Sequence, residues 1–286
     1  MKIIKYFIES LFIIFLLIVF KILGLKFSSN LGSIVGGLLG PFFRSKNKII
    51  SNIKKALPEA EQKDIEIITK KMWKNYGRIL SEYVFIKNFR NSKDEKFFSV
   101  EGQEILNGIK NTNEPVIFIS GHFNNFELMA MQIEKSGINL AAIYRPLNNV
   151  FLNKIMERIR KKYICQKQIK KGRSGTRELL ESFKKNYSIA LMIDQRVSEG
   201  IKSDFFGQPA LTTTVPAQLV RKFGCKIVPV YIERIKSTFF KIKISKPIIY
   251  NKDSSIEEIT LDLNKWLEKM ILNNPSQWIW SHDRWK

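Results

Sequence analysis

Apolar positions follow two contrasting patterns, one long run at the start and short runs separated by amphipathic stretches after it. Residues 6–25 (YFIESLFIIFLLIVFKILGL) are interrupted only by Glu9 and Lys21, and about twenty helical residues cover the hydrocarbon of a bilayer. A second apolar run, 31–43 (LGSIVGGLLGPFF), is too short to span and too rich in glycine for an ordinary helix, so it is expected as an interfacial segment. No small-residue cleavage site of the signal-peptide kind separates the two runs. Beyond Pro58 the pattern turns globular. Ile65, Ile67, Ile68, Met72, Trp73 and Tyr76 recur at helical spacing and predict helix over 61–90. Strands are expected at 115–120 (PVIFIS), 140–144 (LAAIY), 188–193 (SIALMI), 227–232 (IVPVYI) and 240–245 (FKIKIS), with helices at 123–136, 149–163, 174–186, 215–223 and 256–272. That alternation implies an α/β fold, a mainly parallel sheet flanked by helices, behind an N-terminal membrane-anchoring helix. The expected division is an anchor and interfacial segment over 1–43 and one globular domain over 44–286.

Charge sharpens this picture. Forty-eight Lys and Arg against 26 Asp and Glu leave a net charge of +22, a field that draws in anionic lipid, nucleic acid or an acidic protein. An AT-rich genome, which favours lysine, accounts for part of the excess. Arg44, Lys46, Lys48, Lys54 and Lys55 follow the apolar runs with no acid among them, the signature of the cytoplasmic side of a membrane. Lys2 and Lys5 also precede the first run, so spanning the bilayer and lying in its surface both stay open. Two cysteines, Cys165 and Cys225, in separate segments exclude a disulfide framework and a cysteine-rich zinc site.

Candidate chemistry collects where strands end, since open α/β sheets bind ligands at the carboxyl ends of their strands. One such end reads SGHFNNFE over 120–127, with His122 at a strand-to-helix turn and Glu127 five positions on. From the start of the helix, Glu127 is expected to reach back to one imidazole nitrogen, fixing the tautomer and raising the basicity of the other. Without a Ser or Cys nucleophile motif nearby, such a base would activate a hydroxyl of the substrate. A histidine before a helix also serves as a cap or packing residue; the glycine before it and the glutamate after it favour chemistry. A second strand end carries Asp194 in MIDQR, suited to orienting an arginine or a substrate hydroxyl, or to capping the loop that follows. No His/Asp/Cys cluster has ligand spacing, so neither a metal nor another cofactor is expected.

GHFNNFE resembles the His-four-residues-acid motif of the lysophospholipid acyltransferase superfamily. It is most similar to the Gly-His-Phe-Gly-Asn-Trp-Glu form of the bacterial late acyltransferases of lipid A biosynthesis, the lauroyl and myristoyl acyltransferases. The resemblance runs in order through SNIKKALPE (51–59), YRPLNN (144–149) with Arg158 and Arg160, GRSGTRELL (172–180), MIDQR (192–196), FFGQPALTTT (205–214) and WIWSHDRWK (278–286). Asn124 stands where the family usually has Gly, Phe126 where it often has Trp, and Val150 replaces the usual Pro. MIDQR also occupies the place of the Phe-Pro-Glu-Gly element of the glycerol-phosphate branch, which argues against that branch. The resemblance implies transfer of a fatty acyl chain from acyl-acyl carrier protein to a hydroxyl of a phosphorylated lipid A precursor, Kdo2-lipid IVA or its acylated product. It also implies an inner-membrane enzyme facing the cytoplasm, with acyl carrier protein, anionic lipid and the precursor as partners.

Arg145, Arg158, Arg160 and Arg196 are the phosphate-clamp candidates, because a guanidinium fork binds phosphate oxygens bidentately. The register leaves open which of Arg158 and Arg160 is functional. From Lys154 to Arg173 nine basic residues face a single acid, Glu157, a density suited to acidic carrier protein or anionic lipid, or else a solvated helix face. Thr212, Thr213 and Thr214 suit headgroup hydrogen bonds or a helix cap. His282 lies with Trp278, Trp280 and Trp285 in a tail expected to pack the C-terminus or rest at the membrane interface. Two other readings remain: the same chemistry on another glycolipid such as a mannoside, and a membrane-tethered polyanion binder. Nucleic acid is not expected as a partner, since the basic run contains only Tyr163 for stacking.

Overall fold

The computed structural model describes residues 2–92 and 96–286. Helix α1 (Lys2–Leu23) ends at Gly24, whose φ of 77° breaks it from α2 (Leu25–Leu39). Then come α3 (Lys46–Ala56), α4 (Gln62–Glu82) and α5 (Ile86–Asn91). The sheet region runs β1 (Phe98–Glu101), α6 (Gln103–Thr112), β2 (Ile117–Ser120), α7 (Glu127–Lys135), β3 (Leu140–Tyr144), α8 (Val150–Tyr163), β4 (Lys167–Lys170), α9 (Arg173–Lys184) and β5 (Ser188–Met192). It continues through β6 (Ile201–Phe205), β7 (Gln208–Thr212), α10 (Val215–Phe223), β8 (Ile227–Lys236), β9 (Phe239–Ile244) and α11 (Ile256–Asn273). Seven strands form one sheet in the order β1-β9-β8-β2-β5-β3-β4, parallel at every junction except β8 against β9. Strands β6 and β7 form a separate antiparallel hairpin.

Burial explains the strand choice. All four residues of β2 (IFIS) and Ser188, Ile189 and Leu191 of β5 are buried, as parallel strands covered on two faces require. Register then positions the site. Ser120 pairs with Met192, and the Ile193 amide donates to the Ser120 carbonyl at 2.9 Å, so the carboxyl ends of β2 and β5 open side by side.

Helix α1 is long and apolar enough to cross a membrane, with a mean hydropathy of 2.5 and 11% of its most apolar window buried. It touches the globular part through a specific contact. The Ser10 hydroxyl donates to Asn149 Oδ1 at 2.9 Å, the Asn149 amide donates to the Tyr6 carbonyl at 2.8 Å, and the Phe7 and Phe151 rings meet edge-on. The run at 31–43 departs from expectation because most of it is helical. Its glycines serve a helix crossing: Gly32 and Gly36 face Gly77 of α4, and a Cβ on any of the three would strike the backbone of the facing helix. Glycine lowers intrinsic helix propensity, but here close packing outweighs that cost. The outward face of α2 and the turn after it leave Phe27, Ile34, Leu38, Phe42 and Phe43 exposed.

The C-terminal tail is drawn inward. Trp278, Trp280 and Arg284 are fully buried, and the Asn52 amide donates to the carbonyls of Trp280 and His282 at 2.9 and 2.8 Å. Of the two expectations for this tail, packing is the one the structure shows.

Candidate active site

The turn after β2 is not helix, as the apolar spacing of 123–136 suggests, but a short loop that enters α7 only at Glu127. Asn124 adopts a left-handed conformation (φ 44°) that asparagine tolerates better than most side chains, which explains how it fills a place where the resembling family carries glycine. Gln277 clamps it: the Asn124 amide nitrogen donates to the Gln277 carbonyl at 2.9 Å, and its side-chain amide donates to Gln277 Oε1 at 2.6 Å. Asn125 donates in turn to Glu82 Oε2 at 3.2 Å. Glu82 is completely buried at the end of α4 and accepts as well from Ser29 of α2 (2.7 Å) and from both Arg234 forks (2.6 and 2.9 Å). The loop that carries His122 is therefore tied to α2, α4, β8 and the tail.

His122 projects from this loop with its ring half-buried and the Phe126 ring edge-on at 4.7 Å. Its Nδ1 lies 2.7 Å from Asp194 Oδ1, and its backbone N–H donates to Asp194 Oδ2 at 2.7 Å. The Trp278 indole donates to the same Oδ2 at 2.9 Å. Burial pushes the Asp194 carboxyl up, but the charge of His122, the two His122 hydrogen bonds and the Trp278 donor outweigh it and hold the group below its ordinary value. An ionised carboxylate only accepts, so Nδ1 must carry the proton, and in the neutral imidazole Nε2 is then the nitrogen with the lone pair. Beside Nε2, at 3.5 Å, stands the side-chain amide of Gln195. The imidazole is thus held at Nδ1 by Asp194 and has the Gln195 amide as its polar neighbour at Nε2.

This corrects the expected partner of His122. Glu127 accepts from Arg160 Nε at 2.8 Å and from Arg160 Nη2, and it makes no hydrogen bond to His122 among the described residues. The physical reason is the late start of α7. As the first residue of that helix, Glu127 is directed toward α8, whose Arg160 lies partly buried beside it. Asp194 meanwhile occupies the imidazole from the neighbouring strand end, and so serves neither an arginine nor a loop cap.

The arginines separate into three situations. Arg160 is committed to Glu127 and lies 5.6 Å from the centroid of the Tyr144 ring. Arg196 donates to the Lys286 carbonyl (2.9 Å) and to Ser198 (3.2 Å), which fixes the chain end. Arg145 and Arg158 are exposed and have no hydrogen-bond or ion-pair partner among the described residues. Arg158 lines an open depression of ≈ 650 Å³ with Lys154, Glu157, Lys161, Lys162 and Gln166 on the outer face of α8. Of the threonines, Thr212 is buried and accepts from Arg284 at 2.7 Å, while Thr214 accepts from Gln218 at 3.0 Å.

Sequence reasoning missed Trp278, Gln195 and Glu82. Asp194 and Gln195 were adjacent in the strand-end motif, but only the strand order places that motif next to His122.

Comparison with known proteins follows the same line. The pattern of a family described as Bacterial lipid A biosynthesis acyltransferase matches residues 1–286. The chain is 23% identical over 261 residues to the lipid A biosynthesis palmitoleoyltransferase of Escherichia coli (strain K12), covering 90% of this chain and 84% of that one. It is 23% identical over 271 residues to the lipid A biosynthesis lauroyltransferase of the same strain, with 90% and 84% covered. Against its lipid A biosynthesis myristoyltransferase the identity is 20% over 241 residues, with 82% and 73% covered.

Proposed function

The chain belongs to the bacterial lipid A biosynthesis acyltransferase family, and from that premise we propose that it transfers a fatty acyl group from acyl-acyl carrier protein to a hydroxyl of a lipid A precursor, Kdo2-lipid IVA or its acylated product. The observation that carries the reading is the imidazole of His122, held through Nδ1 by a buried carboxylate, which leaves Nε2 for the substrate. The acceptor hydroxyl gives its proton to Nε2 while its oxygen attacks the thioester carbonyl. Asp194 fixes the tautomer and stabilises the imidazolium that forms. The tetrahedral intermediate collapses by breaking the C–S bond, and the departing thiolate takes the proton from His122.

Features of the surface support the proposed location. A 22-residue apolar helix, an apolar face on α2 and the cluster of Arg44, Lys46 and Lys48 behind it suit an anionic membrane leaflet, here the cytoplasmic face of the inner membrane. Exposed Arg145 and Arg158 suit the phosphates of the acceptor, and the basic outer face of α8 suits acidic carrier protein. Mass spectrometry of lipid A from cells with and without the gene tests the reading. Loss of a species heavier by one acyl chain is expected, and an unchanged lipid A profile would refute it.

A further inference from the structure

One bend supplies both polar neighbours of the His122 ring. Asp194 holds Nδ1 at 2.7 Å, and the next residue, Gln195, places its side-chain nitrogen 3.5 Å from Nε2, the outer limit of a hydrogen bond. Both sit on the segment that leaves β5, pinned by the Ile193 amide on Ser120 and by the Trp278 indole on Asp194. The other polar groups of the bend are spent: Asp194 accepts three hydrogen bonds and Arg196 secures the chain end. Gln195 makes no further hydrogen bond among the described residues, so its amide N–H is an uncommitted donor beside the reacting nitrogen.

Acyl transfer needs such a donor. When the acceptor oxygen bonds to the acyl carbon, its proton passes to His122 Nε2 and the carbonyl electron pair moves onto oxygen. That oxygen and the attacking oxygen share one carbon, so the charge forms close to the atom that is hydrogen-bonded to Nε2. A productive site keeps base and oxyanion donor within about 3 Å of a common reacting centre, and a side chain already at 3.5 Å from Nε2 meets that condition with a small torsional move. We propose that Gln195 is a catalytic residue whose side-chain amide donates to the carbonyl oxygen as charge develops on it, an inference that rests on the acyl-transfer reading above. Its resting contact to the ring is long and is given up when a hydroxyl enters. The strong hydrogen bond is then made only as the tetrahedral centre forms, which is the differential binding that raises turnover. On collapse the electron pair returns to the carbonyl, the C–S bond breaks and the thiolate takes the proton from Nε2, leaving an ester and a thiol.

The test compares full-length wild type, Gln195→Met, Gln195→Glu and His122→Ala in steady-state transfer from acyl-acyl carrier protein to the lipid A precursor. Methionine keeps the shape and removes the N–H, so kcat should fall about 10²–10³-fold, the cost of one oxyanion donor, with donor KM unchanged. Glutamate keeps a polar isostere but replaces the donor with a charged acceptor, and should fall at least as far. If Gln195→Met failed to fold, the glutamate variant would decide alone. Should either folded variant keep kcat within about tenfold of wild type while His122→Ala is inactive, Gln195 is only packing and the inference is wrong. An active His122→Ala would instead overturn the acyl-transfer mechanism on which it stands.

Discussion

Burial opposes the charge on Asp194, and three donors reverse that balance. A carboxyl held low in the folded state adds stability that is fully present above its unfolded value of about 3.9 and is lost as pH falls through the lower folded value. The stability difference between wild type and Asp194→Asn should therefore shrink as pH falls below about 4, as followed by denaturant unfolding across a pH series. The same variant should keep its fold at neutral pH yet lose about 10²–10⁴-fold in turnover, the usual value of a positioned base, because an amide no longer enforces the Nδ1-protonated tautomer. Glu127→Ala should behave differently. It strands the nearly buried Arg160 without its carboxylate, and should cost roughly 3–5 kcal/mol of stability, with a lower unfolding midpoint as the readout. The roles were only half legible. A glycine, a histidine and an acid in one short turn mark His122, but spacing alone made Glu127 the natural partner, whereas the true contact arrives from 72 residues away.

The elements most open to reading were the buried ones. Apolar runs marked β2, β3, β5 and β8 to within a few residues because the central sheet is covered on both faces, and alternation marked β9 (FFKIKI), which buries one face. Strands β1 (FSVE) and β4 (KQIK) were passed over; they are the two edges of the sheet, where polar residues are tolerated and the periodic signal fades. Helix α2 was misjudged for the opposite reason: its glycines look like breakers but let it lie against α4 at backbone contact. Gly77→Val should therefore overpack that crossing and cost about 1–3 kcal/mol, measured by thermal unfolding in detergent; wild-type stability would show that the crossing is looser than described. Deleting α1 should release the protein from membranes only in part, since exposed Phe42 and Phe43 and the basic residues behind them remain. Vesicles rich in anionic lipid should still sediment the truncated chain, and high salt should free it.

Across the whole molecule the charge of +22 is not spread evenly in its use. Arg160 and Arg234 are partly buried in ion pairs with Glu127 and Glu82, and Arg284 is fully buried; burial lowers the last to about 10 despite the pull of Asp194. The outer face of α8, by contrast, leaves Lys154, Arg158, Lys161 and Lys162 in solvent. If that face steers an acidic carrier, replacing its three lysines with glutamine should raise the donor KM and flatten its salt dependence, as the Debye length falls from ~10 Å at 0.1 M to ~3 Å at 1 M. Turnover at saturating donor should hardly change, because steering acts before the chemical step. The central claim is tested most directly by reconstitution. Full-length protein in vesicles, supplied with acyl-acyl carrier protein and the lipid A precursor, should convert the precursor to a product heavier by one acyl chain, and His122→Ala should not. A precursor left unacylated by the wild type, or acylated equally by His122→Ala, would contradict it.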